Sequence, residues 1–118
     1  MLHASQLIGR LVLAALALAG ASCAGTPSER AGYEAFLNKI AQDCKPLIIG
    51  TENFGQALVF NGLGVDPDHY ANFLSKTSGL YYGGIPPDVY RNSLTGFLGT
   101  GTYNKPSFDC IIAHLPKQ

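Results

Sequence analysis

The tract GVDPDHYANFLS (64–75) returns as GIPPDVYRNSLT (84–95), and no other feature restricts the second half of the chain so strongly. At a spacing of twenty, Gly64/Gly84, Pro67/Pro87, Asp68/Asp88, Tyr70/Tyr90, Asn72/Asn92, Leu74/Leu94 and Gly79/Gly99 recur. Each pair has a local physical role. Proline suits the first helical position, where its missing N–H is no loss, and Asp in the first turn meets the positive end of the helix dipole. Tyr and Leu four apart share one face, joined by Phe73 in the first copy and by Phe97 and Leu98 in the second. Glycine supplies a left-handed stop. The repeat therefore predicts two similar helices, over about 67–78 and 87–98, hinged at the Tyr-Tyr-Gly-Gly of 81–84.

The remaining helices are read from caps and periodicity. Thr26, Pro27 and Glu29 form a helix opening of the capping-box kind. Tyr33, Phe36, Leu37, Ile40, Ala41 and Cys44 then fall on one apolar face, and Pro46 ends the helix. Residues 47–63 are ambiguous. Thr51 could cap a helix from Glu52 to Asn61 stopped by Gly62, or Ala57–Phe60 could be a short buried strand. Helix is the preferred reading, although Gly55 weakens it by about 1 kcal/mol. After a loop at 99–106, Ser107 is expected to cap a last helix carrying Phe108, Ile111, Ile112 and Leu115, with Cys110 in its first turn. The expected fold is all-α, a small bundle of four or five short helices pinned by one disulfide.

At the other end of the chain, MLHASQLIGR carries Arg10 and a histidine, and ten residues without a polar side chain follow at 11–20. A basic start, a short apolar core and a small-residue exit are the order of an export signal. The apolar run is too short for a transmembrane helix, which needs about 20 residues. The tract Ala19-Gly20-Ala21-Ser22-Cys23 resembles a bacterial lipoprotein box. The resemblance implies that Cys23 is lipidated and becomes the first mature residue. Ala21 and Ser22 fit the two positions before that cysteine, whereas Gly20 stands where the family usually has Leu. Cleavage by ordinary signal peptidase after Ala21 or after Ala24 is equally readable. The expected division is a signal peptide at 1–22, a short tether at 23–26 and a single helical domain at 27–118. With Cys23 acylated or removed, Cys44 and Cys110 remain, an even pair suited to an oxidising compartment.

Composition narrows the function classes. Taking Arg10 away from the eight Lys and Arg leaves one more acid than base, a net charge of about −1. That is no footprint for nucleic acid. The cysteines form no Cys-x-x-Cys and the glycines no phosphate loop or dinucleotide fingerprint. His69, beside Asp66 and Asp68, reads as a solvated helix start rather than a metal ligand. His114 reads as a cation near a helix C-terminus. No nucleophile elbow, catalytic-cysteine signature or marked pair of carboxylates is present, so neither catalysis nor a cofactor is expected. The candidate partner surface comprises Tyr81 and Tyr82 at the hinge with two polar stripes, Asp68 with Asn72 and Asp88 with Asn92. The expected protein is an exported cell-envelope component of bacterial type, lipid-anchored and non-catalytic, with a protein partner in the envelope. A secreted inhibitor or immunity-type protein is the alternative, and a small hydrolase a third.

Overall fold

The computed structural model describes residues 26–117. The export signal and Cys23 lie outside the described residues. By its contacts the chain falls into two units, divided between Gly32 and Tyr33. Helix α1, Pro27–Asp43, runs through this division.

In the first unit the predicted capping box is formed: the Glu29 N–H donates to Thr26 Oγ1 (3.1 Å), and the Thr26 N–H to Glu29 Oε2 (3.3 Å). The second unit holds the rest of α1 and, in order, strands β1 (Ile48–Ile49) and β2 (Glu52–Asn53) and helices α2 (Phe54–Val59), α3 (Pro67–Tyr81), α4 (Pro87–Leu98) and α5 (Asn104–Ala113). The fold is all-α, with five helices among the described residues.

In residues 47–63 the preferred helix is present at Phe54–Val59, so 57–60 is not a strand; two short strands not expected from the sequence precede it. A two-residue turn at Gly50 and Thr51 closes an antiparallel hairpin with Ile48 opposite Asn53 and Ile49 opposite Glu52. Gly50 is the first turn residue and takes φ +63°, as the twist of a two-residue hairpin favours. The helix then starts at Phe54 rather than Glu52. Asn53 caps it, its Oδ1 accepting the Gln56 N–H at 3.0 Å, so Thr51 is not the cap. Asn61 in the left-handed region and Gly62 end the helix, with the Gly62 N–H bonded to the Ala57 carbonyl at 2.7 Å.

Two other boundaries move. Helix α3 does not stop at Gly79 but continues to Tyr81, because Gly83 (φ +79°) makes the left-handed turn. The Gly84 N–H reaches back to the Gly79 carbonyl (2.7 Å) and the Gly83 N–H to that of Leu80 (3.2 Å), the paired bonds of a Schellman stop. Gly99 (φ +98°) ends α4 as expected. Helix α5 starts at Asn104, ahead of Ser107, because a proline in the first turn forfeits no helical hydrogen bond. Ser107 is therefore inside the helix and buried, donating to the Ile48 carbonyl at 2.8 Å.

The core is continuous through the second unit. Phe36, Ile40 and Cys44 come from the predicted face of α1, with Leu47, Ile49, Phe54, Phe73, Leu80, Tyr90, Leu94, Phe108 and Ile111. Phe54 stacks on Phe73 with centroids 4.6 Å apart. Tyr90, fully buried, shares a hydrogen bond with Thr77 Oγ1 at 2.9 Å, and burial pushes its phenol well above the usual range. Asn104 clips three segments together: its Oδ1 accepts the Gly50 N–H (2.8 Å) and its Nδ2 donates to the Gly99 carbonyl (2.9 Å). Cys44 and Cys110 are joined in a disulfide, their Cα atoms 5.7 Å apart, which fastens the end of α1 to α5.

Candidate functional site

The hinge between α3 and α4 gathers aromatic side chains. Because the helix runs two residues past Gly79 before turning, Tyr81 and Tyr82 leave it in different directions. The Tyr81 ring lies against Tyr33 (5.3 Å between centroids) and Phe36 (5.2 Å) and is half-buried. Tyr82 meets the Tyr81 ring edge-on at 4.9 Å and Tyr33 at 5.7 Å, yet keeps 47% of its surface in solvent. Tyr33 anchors the group by donating from its hydroxyl to the Leu74 carbonyl at 3.1 Å. Burial first, then the neighbouring Tyr82 and Tyr70, push its phenol up to about 12. Beside the rings is a cavity of about 260 Å³ lined by Leu80, Ile85, Pro86, Pro87 and Leu115.

The polar stripes do not match one another. Asp68 is exposed, and its N–H donates to Asp66 Oδ1 at 2.9 Å, so Asp66 is the cap of α3. Asn72, four residues on, is half-buried with its Oδ1 enclosed and without a hydrogen-bond partner among the described residues. Asp88 and Asn92 are both exposed. Of the six candidate surface residues, the structure brings together Tyr81 and Tyr82.

Both described histidines have partners at long range. His69 donates from Nδ1 to Glu52 Oε1, while Glu52 Oε2 accepts the Asp66 N–H at 2.8 Å. The hydrogen bond to Glu52 is the main reason that His69 holds its proton more tightly than usual. His114 caps the end of α5 and donates from Nδ1 to the Cys110 carbonyl at 2.8 Å. Its place at the helix end is the one its position predicts. Its Nε2 donates to Asp43 Oδ2 at 3.1 Å, and that bond is the leading reason the Asp43 carboxyl titrates below its usual range. The same ring lies against the disulfide, with Nδ1 3.9 Å from Cys44 Sγ and 3.8 Å from Cys110 Sγ.

Sequence reasoning missed a groove of about 560 Å³ between the end of α1 and α2, lined by Ala41, Lys45, Leu47, Gln56, Val59 and Phe60. Helix α2 buries Phe54, Gly55 and Ala57 and leaves Val59 outward, followed by exposed Phe60 and Leu63. The apolar run 57–60 was the available signal, and it reads equally well as core. No described helix is long and apolar enough to cross a membrane. Comparison with known proteins found no family model, no curated protein and no solved structure that matches the chain.

Proposed function

We propose that this chain is an exported cell-envelope protein of bacterial type, anchored by a lipid on Cys23, whose folded part binds or supports another envelope protein without catalysing a reaction. The disulfide between Cys44 and Cys110 carries the reading, since such bonds persist where the surroundings are oxidising. The apolar run at 11–20 and the small residues before Cys23 support export and anchoring. Exposed apolar side chains grouped on a small domain favour a protein partner. Here Tyr82 offers a rigid ring at the hinge, Val59 and Phe60 line a groove, and Leu63 is exposed shortly after them in the chain. The near-neutral charge argues against nucleic acid as the partner.

Fractionation of a bacterial host tests the anchor. The native chain is expected in the membrane fraction, and Cys23→Ala is expected to release it to the soluble fraction. A native chain that is soluble and distributes like the variant would overturn the anchor and favour the secreted inhibitor. A hydrolytic activity of the purified protein would overturn the non-catalytic reading.

A further inference from the structure

We propose that Cys44, Cys110 and His114 form a zinc site that becomes available when the disulfide is reduced. The three donor atoms already converge. Zinc held tetrahedrally by thiolates at about 2.3 Å and an imidazole at about 2.0 Å places its two sulfurs about 3.8 Å apart and each sulfur about 3.5 Å from the nitrogen. Nδ1 of His114 lies 3.9 Å and 3.8 Å from the two sulfurs, so two edges of that tetrahedral face are close to the required length. The remaining edge is the covalent sulfur–sulfur bond, and reduction releases it.

The surroundings suit a metal as well. Cys110 and His114 stand four apart at the end of α5 and so share a face. Asp43 lies at the end of α1 immediately before Cys44, and its carboxylate holds Nε2 of His114 at 3.1 Å. A carboxylate on the far nitrogen fixes the ring, the arrangement that orients metal-binding histidines, and the near nitrogen exchanges its Cys110 carbonyl for the ion. The His114 side chain is 26% exposed, so an ion can reach the ring from solvent.

The chemistry balances with a phosphine as reductant. The phosphine is oxidised to its oxide with oxygen from water, the sulfur–sulfur bond breaks, and the two hydrogens of that water end on Cys44 and Cys110 as thiols. Zn²⁺ then replaces the two thiol protons and the Nδ1 proton, which pass to solvent, and the Nδ1 contact with the Cys110 carbonyl is given up.

The test uses the full chain carrying Cys23→Ser, reduced with a phosphine and titrated with Zn²⁺ against a chromophoric chelator, with Co²⁺ as a spectroscopic substitute. One Zn²⁺ per reduced chain is expected, with a thiolate-to-cobalt charge-transfer band and tetrahedral visible bands, and neither in the oxidised protein. Cys44→Ser with Cys110→Ser should abolish both signals. His114→Ala should lower affinity at least about tenfold, and Asp43→Asn by about tenfold or more. If the reduced chain unfolds, Zn²⁺ should restore its helical circular dichroism in the parent and not in the double serine variant. Equal binding by oxidised and reduced protein, an unchanged cobalt spectrum in His114→Ala, or no binding and no restored helix after reduction would each overturn the proposal.

Discussion

Glu52 uses one carboxylate oxygen for the Asp66 N–H and the other for the His69 ring, and so ties β2 to the opening turn of α3. Because that contact raises the pKa of His69 in the folded state, its stabilisation is full below the unfolded value near 6.5 and is lost as the pH rises through the folded value. Between about pH 5.5 and about pH 8.5, the native chain should therefore lose more melting temperature than Glu52→Gln does. Asp43 and Asp109 act in the opposite sense. Hydrogen bonds from His114, and from Lys105 and then Arg91, lower their values. Their contribution is present above the unfolded value near 3.8 and is lost as the pH falls through the lowered one. The partners far along the chain, Glu52 for His69 and His114 for Asp43, were not legible in the sequence, where His69 has Asp66 and Asp68 beside it. Gly50 was equally opaque, since a side chain there would meet the Leu98 carbonyl, a segment far along the chain.

The helices themselves were legible because their signals are local. The face of α1 from Tyr33 to Cys44 and the Pro-Asp starts of α3 and α4 rest on periodicity and capping, which act within a few residues. The failures came where a distant segment decided the outcome. Ser107 resembles a cap until Ile48 takes its hydroxyl, and Gly79 resembles a stop until Gly83 takes the turn. The repeat likewise has one grammar and two environments: Tyr70 is half-buried, whereas Tyr90 is enclosed on its bond to Thr77. The hinge tyrosines differ in the same way, and their substitutions should separate. Tyr81→Ala removes a ring packed against Tyr33 and Phe36. It should destabilise the fold by about 2–4 kcal/mol, read from urea unfolding. Tyr82→Ala should cost less than about 1 kcal/mol while weakening capture of an envelope partner more than Asp68→Ala with Asp88→Ala does, because aromatic anchors outweigh rim charges. Equal weakening by the aromatic and the acidic variants would favour the polar stripes.

At the scale of the whole molecule, the disulfide spans 66 residues, a constraint on the unfolded chain of about 4 kcal/mol. Small domains have only about 5–15 kcal/mol in total, so the bond supplies a large share. Reduction, or Cys44→Ser with Cys110→Ser, should lower the melting temperature by more than about ten degrees, at about 4–8 °C per kcal/mol. The pairing was legible from counting cysteines once an export signal is read at the N-terminus. The His114 ring over the bond was not, because only folding brings Asp43, Cys44 and the end of α5 together. Export, anchoring and pairing meet in a single observable, the intact mass of the native product taken from bacterial cells under denaturing, non-reducing conditions. The expected mass is that of a chain beginning at an acylated Cys23, lighter by two hydrogens than the same chain after reduction. An unprocessed chain beginning at Met1, with a mass that reduction leaves unchanged, would contradict the account.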